Sequence, residues 1–428
     1  VTTSDAPADL YYEPWDPACR EGLFDTYQRL IRDAPVYQAP SGTWVISSFA
    51  GVEYVLSHPE LFSNRPNQDE TIGFPPKIDL NDAESVESLG ALAELAEDLP
   101  LDFDEILLAR VIVGADPPQH TRQRKIVNRG LTARRIAAFK GRIDEIVTEC
   151  LDGIEDRDHF ELVSELAVPV PVGVIADLLS ITPDRHGDVR RWSDMLANLP
   201  QSENRGSPET MAQLFGMLKE FAEYFVPLIE DRRINPQDDM ISDLVKAVEV
   251  DTMTVTETVL FLLVVMAAGN ETTTNLLGNT VVELLRHPDQ LALLQENPDL
   301  VASALEEGVR LQSPFQFLFR ETLEEVEVEG TVIPKDAMIA IMIGAANRDP
   351  KVFENPEMFD ITRTTAHLGF GKGIHFCLGA PLARLEAHRS LSALLPHLQR
   401  FKLDETEPLE LSESLLIRGY KKISLTAV

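Results

Sequence analysis

Apolar residues recur at helical spacing over most of the chain. The i, i+3, i+4, i+7 pattern predicts helices over residues 131–154, 209–233, 254–286, 298–311 and 381–397. Strand-like alternation is confined to residues 43–47, 326–332, 338–343 and 423–426. Gly330 and Pro334 punctuate the middle hairpin. The pattern predicts a mainly α fold with a small β-rich region. The longest apolar run, residues 259–268, is shorter than the roughly 20 residues of a membrane span, so no membrane contact is expected. Within the longest helix, Val264, Ala267, Ala268, Glu271 and Thr272 share one face. An acid beside an alcohol deep in an apolar helix needs polar partners. Gly269 weakens the helix there, and a local widening is expected.

Composition narrows the class. The chain has 428 residues, 44% hydrophobic and 25% charged, which excludes collagen-like, disordered and disulfide-scaffold proteins. Acids outnumber bases 70 to 38, for a net charge of −32. Phosphate contacts need Lys and Arg, so no nucleic-acid partner is expected, and an anionic membrane surface would repel the chain. Three scattered cysteines, Cys19, Cys150 and Cys377, point to a reducing compartment. No CxxC pair or HExxH motif suggests zinc, and no signal-peptide pattern opens the sequence. A cytoplasmic location is expected. Charge is uneven along the chain: residues 79–105 hold ten acids and no base, whereas residues 121–142 hold eight bases and no acid. A charge run is commonly a solvated helix face, yet a basic strip on so acidic a chain also fits an acidic partner.

The segment from His367 to Arg384 carries the chemistry. Glycines at 369, 371, 373 and 379 let the backbone approach something flat or bulky. Cys377 sits just before a predicted helix, with Pro381 suited to its first turn. Amide N–H groups at a helix start stabilise a thiolate, which is what a haem iron takes as axial ligand. A lone cysteine is often just a small buried hydrophobe. A dinucleotide loop fails, because the third glycine position of GxGxxG holds Phe376.

The pattern Phe370-x-x-Gly373-x-x-x-Cys377-x-Gly379 resembles the haem-ligand loop of the cytochrome P450 family. Further matches run from about residue 116 to the end of the sequence. Glu307-Gly-Val-Arg310 resembles the family's structural Glu–Arg pair, with Arg363 as third member. Ala268-Gly-Asn-Glu-Thr-Thr273 resembles its acid–alcohol motif. Asp116-Pro-Pro-Gln-His120-Thr-Arg-Gln-Arg124 resembles its DPPxHxxxR segment, and residues 346–359 resemble the meander before the loop.

The resemblance implies the cytochrome P450 fold as a single domain over 1–428. About 1–115 would form an N-terminal sheet and substrate-loop region, including the acidic 79–105 stretch. Residues 116–428 would form the helical haem-binding core. It implies haem b (iron protoporphyrin IX) with the Cys377 thiolate as axial ligand and O2 as cosubstrate. His120, Arg124, Arg320 and His375 would hold the haem carboxylates, and Phe370, Gly371, Gly379 and Ala268 would line the cofactor. Thr272 and Glu271 would handle protons during oxygen activation. The implied reaction is monooxygenation. The chain has no nicotinamide, flavin or iron–sulfur fingerprint of its own, so a separate ferredoxin or flavodoxin, with its NAD(P)H reductase, would supply electrons. Arg122, Lys125, Arg129 and Lys372 are the docking candidates, and relatives imply a monomer.

By register, Val264, Ala267, Ala268, Phe315, Gln316, Phe317, Leu318, Leu415 and Leu416 would line the substrate pocket. That set is apolar apart from Gln316, which favours a neutral hydrophobic molecule of terpenoid, steroid-like or aromatic skeleton. The phenylalanines at 315, 317 and 319 are equally compatible with core packing. Alternatives are a haem-thiolate enzyme of atypical outcome (peroxygenase, coupling or dehydration) and a non-catalytic haem sensor. Peroxide-using relatives commonly lack the acid–alcohol pair.

Overall fold

Short alternating segments from distant parts of the chain build a five-stranded sheet. Its order is Val36–Gln38, Trp44–Ile46, Met338–Ile341, Leu318–Thr322 and Phe62–Ser63. Trp44–Ile46 runs parallel to Met338–Ile341, and the other pairings are antiparallel. Period-2 alternation sorts the side chains. Val45, Phe319 and Ala340 pack on one face with Tyr27, Leu30 and Phe317. Ile46, Ile339 and Ile341 pack on the other with Val52, Val55 and Leu56. Arg320 lies opposite Ile339 in this register and is buried.

The computed structural model describes residues 7, 9–66, 83–198, 207–249 and 253–428. They form two compact units. The first takes the described residues within 1–63, 133–174 and 269–428, and the second those within 64–132 and 175–268. Strands 36–38 and 44–46 are hydrogen-bonded into a sheet with strands from 318–341 and belong to the same unit.

In the first unit, helix Ala380–Leu398 packs on Ala133–Cys150 and on Val301–Gln312. A second sheet, ordered His159–Glu161, Ser424–Ala427, Phe401–Leu403, ties the last strand to the middle of the chain. In the second unit, helix Met240–Glu249 packs on Gln119–Gly130 and Pro208–Ile234. Gly130 allows the first approach, since a Cβ there would lie 3.1 Å from the Met240 side chain. Trp192, Phe221 and Phe225 stack into an aromatic core, with centroids 5.1 and 4.4 Å apart.

Two sequence expectations are corrected. Helix Val255–Arg286 is α-helical throughout its 32 residues, with no widening at Gly269. Buried apolar residues on both sides of that glycine, among them Met266 and Leu276, hold the ladder in register. The only π-helical turn among the described residues is Val163–Ala167. The acidic stretch, expected as a loop, holds the helices Ala83–Ala96 and Phe103–Leu108, because Ala, Leu and Glu are strong helix formers. Residues 79–82 lie outside the described residues.

By length and composition Val255–Arg286 is able to cross a membrane. Its polar side chains are turned to protein instead. Thr274 donates to the Ala167 carbonyl, Asn279 donates to the Arg418 carbonyl, and Glu283 accepts from Gln312.

Candidate active site

The loop preceding helix Ala380–Leu398 is folded by its own amides. Gly371 N–H donates to the Leu368 carbonyl and Cys377 N–H to the Phe370 carbonyl, both at 2.8 Å. A 3-10 turn, Gly373–His375, lies between them. Gly373 has φ +70°, and a Cβ there would sit 2.5 Å from the Leu56 carbonyl oxygen, so no side chain fits. Cys377 is half-buried at the threshold of the helix, with Gly379 as N-cap and Pro381 in the first turn. Its thiol is in no disulfide. A Cβ on Gly379 would meet nothing within 4 Å, and one on Gly371 would meet only the His375 carbonyl oxygen at 3.8 Å. The loop thus leaves room on the cysteine side.

Buried ion pairs on helix Val301–Gln312 fix the meander that precedes the loop. Arg310 makes two hydrogen bonds to Glu307, at 2.7 and 2.8 Å, with both side chains almost wholly buried. Arg363 joins Glu307 at 3.2 Å. Arg310 also donates to the Asn347, Pro356 and Met358 carbonyls, and so ties the meander to helix Val301–Gln312.

Residue 306, next to that motif, has a second role that the sequence reading missed. Glu306 accepts two 2.7 Å hydrogen bonds from Arg384, and His367 Nε2 lies 3.2 Å away. Burial opposes ionisation of Glu306, but the bonds from Arg384 and His367 prevail and bring its pKa down to about 2. Arg384 also stacks 4.3 Å from the centre of the Phe370 ring. Its own pKa is raised by the bond to Glu306, with the Cys377 sulfur adding to the effect. One carboxylate therefore clasps both ends of the cysteine segment. The legible signal was the basic residue seven positions after the cysteine.

The remaining expected residues are placed as follows. In the first unit, Glu271 and Thr272 are half-buried on the long helix, and Arg320 is buried in its strand and donates to the Phe319 carbonyl at 2.6 Å. His375 lies in the 3-10 turn before the cysteine. Lys372 is exposed and ion-paired with Glu53. In the second unit, His120 is buried on helix Gln119–Gly130, with half-buried Arg124 one turn on. Burial lowers the His120 pKa, Arg124 adds to this, and Asp116 opposes it. Arg122, Lys125 and Arg129 are exposed on that helix. Val264 is buried, Ala267 half-buried and Ala268 exposed in the middle of an otherwise apolar helix.

Several expected pocket residues have other partners. Gln316 is no available polar handle: its amide donates to the Gln312 and Ser313 carbonyls and accepts from Tyr27 Oη at 3.1 Å. Phe317 and Leu416 are buried in the core around Tyr27, and Phe315 and Leu415 pack against it. Trp15 meets Phe317 at 5.4 Å between ring centres. Leu318 points to the opposite face of the sheet.

A second missed residue is Glu386, two turns beyond the cysteine-side end of its helix. It is buried, and desolvation pushes its pKa up to about 8, so it is a neutral acid at pH 7.

Comparison with known proteins decides the family. The model described as Cytochrome P450 matches residues 189–427. The chain belongs to the cytochrome P450 family. It is 34% identical to cytochrome P450 107B1 of Saccharopolyspora erythraea over 431 residues, covering 99% of this chain and 98% of the relative. It is 37% identical to the vitamin D(3) 25-hydroxylase of Pseudonocardia autotrophica over 316 residues, covering 73% and 76%. Among solved structures, cytochrome P450 CYP109Q5 from Chondromyces apiculatus superimposes with a TM-score of 0.80 at 33% identity, covering 98% of both chains. This chain is thus a P450 monooxygenase, a haem-thiolate oxidoreductase. Its residues fit that cofactor. Cys377 offers a reduced, half-buried sulfur at a helix start, and the flanking glycines leave open space beside it. No cluster of three or more metal-ligating side chains competes among the described residues.

Proposed function

We propose that this P450 inserts one oxygen atom from O2 into a neutral hydrophobic small molecule of terpenoid, steroid-like or aromatic skeleton. Electrons would come from a ferredoxin or flavodoxin and its NAD(P)H reductase, in the cytoplasm, to a monomeric enzyme. The observation that carries this reading is Cys377 held at the start of helix Ala380–Leu398 beside two glycines with open space, in a chain that also presents Glu271-Thr272 on its long helix. Haem b bound through Cys377 supplies oxygen activation, favoured by the electron-rich thiolate.

The chain's own side chains do the rest. The Cys377 backbone N–H is already engaged with the Phe370 carbonyl, which fixes the loop around the sulfur. His120, Arg124, Arg320 and His375 would hold the cofactor's carboxylates, since guanidinium and imidazole groups match them in charge and geometry. Thr272 Oγ1 would donate a hydrogen bond at the reacting oxygen, and the Glu271 carboxyl would exchange its proton with water. Val264, Ala267, Ala268 and Leu318 would present apolar surface to the substrate and exclude water. With the Gln316 amide bonded to protein, this set has no polar anchor, which favours a neutral skeleton. The name of the vitamin D(3) 25-hydroxylase supports a bulky apolar substrate.

An optical titration of the ferric protein with terpenoids, steroids, aromatics and fatty acids tests this. A saturable high-spin shift of the Soret band with a neutral skeleton is expected. A shift with charged fatty acids alone would overturn the substrate class.

A further inference from the structure

Glu306, His367 and Arg384 form a cluster in the first unit whose charge bears on Cys377. Arg384 presents Nε and Nη2 to the two oxygens of Glu306, each at 2.7 Å, in a two-point contact. His367 joins from the other end of the cysteine segment. Its Nδ1 accepts the Gly369 N–H at 3.0 Å, so the ring proton sits on Nε2, 3.2 Å from Glu306 Oε2. The imidazole is then neutral. The cluster holds one anion and one cation, and they cancel.

The cation of the pair lies within electrostatic reach of the cysteine. Arg384 belongs to the helix that Cys377 precedes, and its guanidinium lies 4.3 Å from the centre of the Phe370 ring. The Phe370 carbonyl in turn accepts the Cys377 N–H at 2.8 Å. The charges of Arg384 and of the Cys377 sulfur act on each other across this short chain of contacts. A guanidinium left alone here would draw electron density towards itself and favour any added negative charge nearby. Glu306, in direct contact with it, removes most of that field.

We propose that Glu306 is a charge-balancing residue for the Cys377 ligand: by neutralising Arg384 it keeps the sulfur electron-rich and holds the haem reduction potential low. The proposal rests on haem ligation by Cys377. An electron-rich thiolate favours oxygen activation. Without the balance, the one-electron step from ferric to ferrous haem becomes easier and the push from sulfur weaker.

Spectroelectrochemical titration of the purified holoprotein tests this, with soluble mediators carrying the electron from the electrode. At about pH 8 an ordinary His is neutral and an ordinary Glu ionised. Glu306→Gln leaves Arg384 unbalanced and should raise the reduction equilibrium constant about threefold, or about 28 mV for one electron. Arg384→Gln leaves Glu306 unbalanced and should lower the potential by a similar amount. The double variant should return to the wild-type value, and Arg384→Lys, which keeps the charge, should stay close to it. Both single shifts should shrink as salt rises, since the pair is partly exposed. A loosened loop would instead move both single variants in one direction and the double variant further. Shifts of the same sign, no shift in either, or an Arg384→Lys shift as large as that of Arg384→Gln would overturn the proposal. Should Glu306→Gln fail to fold, a fall in Arg384→Gln without one in Arg384→Lys carries the test. Absence of the thiolate-type reduced carbonyl band in the wild type would overturn ligation by Cys377, and the proposal with it.

Discussion

Gly373 shows how a single residue constrains the loop that holds Cys377. It needs a left-handed backbone, and its neighbour is the main chain at Leu56, which cannot rotate away as a side chain would. Gly373→Ala should therefore displace the loop and lower haem content, read as the ratio of Soret to protein absorbance in purified protein. Thr272→Ala removes a half-buried hydroxyl from the long helix. Its expected effect is on proton handling: NADH consumption persists while product falls by about tenfold or more. Glu386 gives a signature of a different kind. Its folded pKa, about 8, lies above the ordinary carboxylate value. The folded state thus holds a proton that the unfolded chain has released. The stability this contributes is complete below about pH 4.5 and is lost as pH rises through 8. Glu386→Gln should flatten that slope and gain about 1–3 kcal/mol relative to wild type at alkaline pH, measured by denaturant unfolding at pH 6 and 9.

At the scale of elements, the two adjacent acids on helix Val301–Gln312 divide the work. Glu307 anchors the meander through Arg310 and Arg363, and Glu306 anchors the cysteine segment through His367 and Arg384. Glu307→Ala leaves a buried guanidinium without its counter-charge, and a loss of about 3–5 kcal/mol is expected in equilibrium unfolding. Glu306 should act oppositely to Glu386 in pH. Its depressed pKa means that its contribution is present above the ordinary carboxylate range and is lost as pH falls towards 2.

These elements also show what was legible in the sequence. Glu307 and Arg310 were readable because three-residue spacing on a helix puts both on one face. Glu306 was not, because its partners lie 61 and 78 positions away and no periodicity links them. The long helix was legible from its apolar face, but its regular course past Gly269 depends on packing from neighbours. Gln316 read as a handle for substrate because it is polar among apolar residues. Only the fold reveals that Tyr27 and two carbonyls use it. The 79–105 stretch was expected as a loop from the family resemblance, whereas its Ala, Leu and Glu favour the helices found at Ala83–Ala96 and Phe103–Leu108.

For the whole molecule, the net charge of −32 makes local basic clusters conspicuous. Arg122, Lys125 and Arg129 are exposed on one helix, and the exposed Lys372 is ion-paired with Glu53. Charge reversal at Arg122 and Lys125 should slow electron delivery from an acidic redox protein by about tenfold at low salt, with the effect fading as salt rises. Substrate-induced Soret shifts should be unchanged. Lys372→Glu should slow delivery less, since the wild-type charge is already partly cancelled. Stopped-flow reduction at two ionic strengths separates these outcomes.

The parallel pairing of Trp44–Ile46 with Met338–Ile341 bears on how the chain is made. On the ribosome the first partner waits for a strand encoded roughly 300 residues later, roughly 15–60 s of elongation at about 5–20 residues per second. During that interval Val45 and Ile46 have no central strand to lie against, and Val36–Gln38 offers their only sheet contact. These nascent strands should thus stay exposed until the later strand is made, and slower translation would lengthen that exposure rather than help them fold.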